Sequence, residues 1–324
     1  MNVNKRDKLK LPKRKKPDVL LKADAEIHQP VFHFLKTEFN HARQHEKGIN
    51  RDDDIEFLHQ YRVALRRCRA LISLLKSLFK AEQKQMLKVE LKTMMQKSNH
   101  LRDLDVFLLK MEDYFSALDH QYHQGLICFF DELQYMRRNT HKELKRWLKT
   151  ESYEQQCQLV KGLIAELEYC PTSKGRSKSK DLGREMIWQH FEQVLTHCNE
   201  LTINSPDESV HELRICCKKL RYLLEFFTPI FPAKINKEQI QRLKQLQDQL
   251  GEFNDSSVQQ LFLENYLKGK EPSSTTFAAI TQLKAIAQSE HQAAKQHVIT
   301  QLTQFTHPDN IASYKKLYLV EKKA

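Results

Sequence analysis

Along most of this 324-residue chain apolar side chains return every third or fourth position, the spacing of helices that bury one face. The clearest case runs from Phe57 to Phe79. Phe57, Tyr61, Leu65, Cys68, Ile72, Leu75 and Phe79 share one broad face, while His59, Arg62, Arg66 and Arg69 fall within an arc of roughly 80° on another. This stretch holds five Lys or Arg and no acid, so one face suits a core and the other an anion. Other first-half helices are predicted from Pro30 to before Gly48, and near 82–98, 121–148 and 152–168. In the second half they are predicted near 184–202, 209–228, 236–250, 256–268, 274–306 and 310–321. Asp52, Asp53 and Asp54 supply a cap for the cationic helix; Asp103 and Asp255 are predicted as N-caps after breaks at Asn99 and Gly251.

The cationic stripe recurs. His211, Arg214, Lys218, Lys219 and Arg221 repeat His59, Arg62, Arg66, Arg67 and Arg69 at a constant offset of 152, and Asn254, Asp255 and Val258 repeat Arg102, Asp103 and Val106. A single repeat of this length predicts duplicated halves, not a solenoid. The domain reading is a disordered basic tail over 1–24, a helical domain over 25–320, and within it halves at 25–170 and 184–320 joined by a basic Gly/Ser/Lys linker at 171–183.

Composition narrows the class. Only 7 Gly and 9 Pro interrupt the chain, so an all-α fold is expected. The net charge of +12 is concentrated: residues 1–22 contribute +7 and 171–184 contribute +4, which leaves the rest nearly neutral and makes the stripes local concentrations of charge. Seven cysteines without a Cys-x-x-Cys pair argue against a disulfide framework or zinc site and for a reducing cytoplasmic setting. No apolar run has transmembrane length.

Arg offers planar forks to phosphate oxygens and Lys a point charge, so repeated stripes suit a long polyanion better than one deep pocket suits it. The candidate contacts are His59, Arg62, Arg66 and Arg69 with His211, Arg214, Lys218 and Arg221; Arg67, Lys219, Lys88, Lys92, Arg102 and Lys244 form a second tier. Either histidine serves equally well as a structural hydrogen-bonding group. Glu225 is expected to orient Arg221 or Lys218 across one helical turn. Lys80, Lys84, Lys88 and Lys92 form a row that is either a solvated face or a second wall of the anion site.

The residues Val-His-Glu-Leu-Arg-Ile-Cys-Cys-Lys-Lys-Leu-Arg-Tyr-Leu-Leu-Glu (210–225) and Leu-Gln-Asp-Gln-Leu-Gly-Glu-Phe-Asn-Asp (246–255) resemble the second-half signature of the conserved-histidine α-helical domain, the CHAD family. Residues 58–69 and 101–106 resemble its first-half signature, with Asn99 where a glycine is usual. The resemblance covers about 25–320. It implies two pseudo-symmetric bundle-like halves around a central basic cavity, binding of inorganic polyphosphate, and in some bacterial members association with polyphosphate granules. Pseudo-symmetry would bring the two stripes to one groove. No triphosphate-tunnel catalytic domain is expected ahead of the helical domain, so none of that chemistry is carried over.

Two other classes compete. Non-specific nucleic-acid binding, RNA above all, would use the stripes and tail, although the stripes carry no interleaved exposed aromatic residues for base stacking. A metal-dependent polyphosphate hydrolase would need clustered carboxylates, and the acidic clusters here are explained as caps. His41 and His45 stand one turn apart, but as a surface pair without a third ligand. The expectation is therefore a non-enzymatic binding protein with no metal or cofactor and no membrane partner.

Overall fold

A computed structural model describes residues 8–16 and 20–319. It is all-α: thirteen helices and no strand occur among the described residues. The helices divide between two compact units, one containing 26–110 and 131–177, the other 111–130 and everything described from 178 onward.

In the first unit α1 (His28–Gln44), α3 (Ile55–Leu74), α4 (Ala81–Lys97) and α8 (Glu151–Tyr169) pack in a closed ring, α1 on α3, α3 on α4, α4 on α8 and α8 on α1. This is the arrangement that four amphipathic helices reach when each buries one stripe. The side chains buried in this ring include Phe32, Leu35 and Phe39 of α1, Leu65, Cys68 and Ile72 of α3, Leu87, Leu91 and Met94 of α4, and Val160 and Ile164 of α8. Each such side chain contributes about 1.5–3 kcal/mol by leaving water. Two buried polar links fix the register: Gln83 Nε2 donates to the Leu163 carbonyl at 2.7 Å, and the Tyr153 hydroxyl donates to Glu46 Oε1 at 2.6 Å. Glu46 opens α2 (Glu46–Arg51), a short turn ended by Asp52 in the left-handed region at φ 56°.

The predicted linker is tied down. Thr172 Oγ1 donates to the Ser77 carbonyl, Ile27 N to the Ser177 carbonyl, and Gly175 is buried against His28. The stretch read as a disordered tail also has contacts over its described part: Leu9 N donates to Asp53 Oδ2 at 3.1 Å, and Arg14 Nη2 reaches the buried carboxylate of Glu38 at 3.0 Å. Composition predicts disorder there, but a carboxylate only 4% exposed needs a cation, and Arg14 provides it together with Arg67 at 3.6 Å.

The second unit is a layered stack. α13 (Pro308–Tyr318) packs on α9 (Ser179–Glu200), α9 on α10 (Asp207–Phe227), α10 on α11 (Ala233–Leu267), and α11 along α12 (Thr275–Phe305). Phe191 of α9 lies flat on Tyr314 of α13, ring centroids 3.7 Å apart. α6 (Met111–Ala117) and the first turns of α7 (His123–Trp147) group with this unit. A Cβ on Gly125 would collide with the Thr275 carbonyl, so that contact requires glycine.

Two local expectations are corrected. Residues 236–268 do not break: α11 is continuous, Gly251 is not left-handed, and Asp255 lies mid-helix. Glycine costs a helix about 1 kcal/mol, which the buried stripe of Leu246, Leu250 and Phe253 offsets. In the first half α4 does stop at Ser98, but α5 (Asn99–Leu109) starts at once, so Asp103 is inside a helix and caps nothing. Asp54, by contrast, caps α3 by accepting from Glu56 N at 2.8 Å.

The His41–His45 pair is not on the surface. Both rings are buried, with Nε2 atoms 3.3 Å apart, and burial followed by repulsion from His41 and Arg14 lowers the His45 pKa to about 4. An unfolded histidine titrates near 6.5, so between 6.5 and 4 the unfolded chain binds the extra proton. Stability should therefore be full above pH 6.5 and fall by up to roughly 3 kcal/mol as pH drops to 4. Urea unfolding across that range measures this, and His45→Gln should flatten the slope. At neutral pH, Arg14→Ala should lower stability by about 1–3 kcal/mol, an effect that largely disappears in a Glu38→Gln background.

Candidate functional site: two cationic helix faces

α3 presents its predicted faces. Phe57, Tyr61, Leu65, Cys68 and Ile72 are buried, while Arg66 is exposed and His59 and Arg69 are partly so. The four stripe residues nevertheless do different things. Arg62 is 8% exposed, and its Nη1 donates to the Met95 carbonyl at 2.9 Å, Ser98 Oγ at 2.8 Å and Asn99 Oδ1 at 2.8 Å. It therefore fills the carbonyl-rich end of α4 where that helix stops, a place that calls for a cation. Burial, then the charge of Arg66, lowers its pKa to about 10, which still leaves it charged at neutral pH.

By holding the α4–α5 junction, Arg62 also places α5, and α5 brings Arg102 to the stripe. After burial, Arg102 is the largest influence lowering the pKa of His59; Arg66 and Arg62 act the same way and Glu56 opposes them. Arg69 is lowered by burial and then by Arg66. Among the described residues, Arg66, Arg69 and Arg102 make no ion pair within 4.0 Å. The nearby acids are Glu56, which acts on His59, and Asp103, whose own pKa burial pushes up while Arg62 pulls it down. The result is three arginines acting on one imidazole, with Arg69 continuing the row from Arg66.

The second face, on α10, is more open and better compensated. Val210, Leu213, Cys217, Leu220 and Leu224 are buried, His211 is exposed, and Arg214, Lys218 and Arg221 are partly exposed. Arg221 Nε donates to Glu225 Oε1 at 2.7 Å, the one-turn pairing expected, and its Nη1 donates to Gln247 of α11 at 3.1 Å. The second-tier cations separate. Arg67 is taken up by Glu38, and Lys219 acts on His190 of α9, so both lie off the stripes. Lys88 and Lys92 stand on α4 and Lys244 on α11, each at least partly exposed and without an ion pair among the described residues.

Sequence reading missed what secures the starts of these helices. In the first unit Arg137 of α7 forks onto Asp52 at 2.7 Å and reaches Asp105 of α5 at 2.7 Å, while His141 Nε2 donates to the Ile49 carbonyl at 2.7 Å. In the second, Asp207 at the start of α10 meets His291 Nε2 at 2.8 Å and Lys295 Nζ at 3.1 Å, both from α12. His291 Nδ1 is 2.8 Å from Ser256 Oγ, but that hydroxyl donates to the Phe253 carbonyl of its own helix and is buried, so the Asp-His-Ser relay clamps three helices together. Among the described residues no group of three or more His, Cys, Asp or Glu is placed to hold a metal, and no helix is long and apolar enough to cross a membrane.

The family model for the CHAD domain matches residues 33–264, well over half the chain and both cationic helices. The chain belongs to the CHAD family. The crystal structure of the CHAD domain from the plant Ricinus communis matches with a TM-score of 0.66 at 20% identity, covering 96% of this chain and 97% of that one. PptA from Streptomyces chartreusis matches with a TM-score of 0.67 at 15% identity, covering 86% of this chain and all of that one. Comparison with curated proteins finds no match. At these identities the two structures speak for the fold alone, and the 96% coverage of the first carries the shared fold beyond residue 264.

The two kinds of stripe residue should separate in urea unfolding. Arg62→Ala removes the buried cation that gathers the Met95 carbonyl, Ser98 and Asn99 at the end of α4 and should cost about 2–4 kcal/mol. Arg66→Ala should change stability by no more than about 0.5 kcal/mol.

Proposed function

We propose that this CHAD protein binds inorganic polyphosphate along its two cationic helix faces and does not turn it over. The observation that carries the reading is the row in which Arg102 and Arg66 act on His59 and Arg69 continues from Arg66, the three arginines making no ion pair among the described residues. Holding like charges this close costs free energy that a polyanion relieves on binding. A flexible chain with about one charge per phosphate can lie along such a row, which a compact anion cannot. The same ligand is what the first- and second-half signatures imply through the family. Arg62 positions the row, while Arg66, Arg69 and Arg102 contact phosphate; on α10 the contacts fall to His211, Arg214, Lys218 and Arg221. This reading places the protein in the cytoplasm, with polyphosphate granules as the site where its ligand accumulates.

The test is equilibrium binding of the full chain to long-chain polyphosphate at physiological salt, with excess RNA or DNA as competitor. Arg66→Ala with Arg69→Ala and Arg102→Ala should weaken binding at least tenfold and make the dependence on salt shallower by about one unit per lost phosphate contact. RNA competing on equal terms, or a triple variant that binds unchanged, would refute the reading. Release of phosphate from polyphosphate on adding Mg²⁺ or Mn²⁺ would refute the non-enzymatic part alone.

A further inference from the structure

The N-terminal segment and α1 enclose a second donor-rich place, built without any residue of α3 or α10. Lys15 and Lys16 close a cavity of about 230 Å³ over Thr37, Asn40, His41 and Gln44. That is several times the ~30 Å³ share of one water, enough for a tetrahedral oxyanion with part of its hydration. The lining holds two ammonium groups, a hydroxyl, two carboxamides and an imidazole, and no carboxylate. The acid between Thr37 and Asn40 in sequence, Glu38, is buried and paired with Arg14 and Arg67. Its pairing with Arg14 also anchors the backbone just before Lys15, so the two lysines are held near the cavity before any ligand arrives.

His41 supplies an independent sign. It is 5% exposed, its Nε2 faces His45 Nε2 at 3.3 Å, and its Nδ1 has no hydrogen-bond partner. Burial lowers the pKa of both rings, so both are neutral at neutral pH. When His45 donates to His41 Nε2, the proton of His41 sits on Nδ1, a buried donor that reaches only the Gln44 side chain of the same lining and without the geometry of a full hydrogen bond.

We propose that this cavity binds a compact phosphoryl dianion, either free inorganic phosphate or the terminal phosphate of a monoester. Lys15 and Lys16 supply charge, Asn40, Gln44 and Thr37 supply directional donors, and His41 donates from the floor. A long polyphosphate chain is not needed for this site, and the site is independent of whether the α3 face binds one.

The experiment titrates the full chain with inorganic phosphate, and separately with glycerol phosphate, by calorimetry at ionic strength held constant with chloride. Saturable one-site binding of either is expected, weakened tenfold or more by Lys15→Gln with Lys16→Gln and unchanged by Arg66→Ala with Arg69→Ala. Binding of phosphate alone identifies the free ion as the ligand, and binding of the ester identifies an esterified one. No saturable binding of either compound overturns the proposal. So does binding that is lost in the α3 variant and kept in the lysine variant, since the anion would then occupy the cationic face. Both pairs of substitutions are at solvent-facing positions, and thermal unfolding of each variant verifies that the fold is intact.

Discussion

The structure depends on holding like charges together on α3. Arg62, Arg66 and Arg69 recur within three turns, and α5 adds Arg102 beside them. In an isolated helix such a row would repel itself apart. Here the opposite face, from Phe57 to Ile72, is locked into a closed four-helix ring, and Asp54 and Arg137 secure the helix start. Burial provides the free energy that the charge cluster consumes, so the cationic face and the core are two sides of one balance.

Arg62 shows how closely those two sides are joined. Its guanidinium closes the end of α4 and adds its charge to the field at His59. Scaffold and site therefore share an atom group, and α5 carries its arginine to the stripe only while that group is in place. On α10 the cations are steadied by other means, with an uninterrupted α11 beside the helix and Glu225 and Gln247 holding Arg221.

The helices and their buried faces were legible because period and composition agree over long stretches; the all-α class and the apolar side of α3 follow from them. Depth was not. Periodicity assigns a residue to a face, and Arg62 stands on the stripe yet points into a helix end. Gly251 and Asn99 carried equal stop signals, but only the first-half chain stops, because tertiary packing outweighs a penalty near 1 kcal/mol. The clamps made by Arg137, His141 and His291 were invisible for another reason: their partners lie 32 to 92 residues away, and no local pattern reports such a pairing. In the basic N-terminal segment, composition gave no sign that Arg14 would meet a buried carboxylate.

These long-range ties bear on where the smallest working piece of this fold ends. The residues that match the family model stop at 264, yet the groups that hold Asp207 at the head of α10 are His291 and Lys295. At the other end, the partner of Glu38 is Arg14, ahead of the matched stretch. A fragment trimmed to the matched residues would keep every arginine of both faces and lose the fastenings that aim them. The recognisable signature is thus narrower than the cooperative unit, and the boundaries of that unit are set by electrostatics at its two extremities.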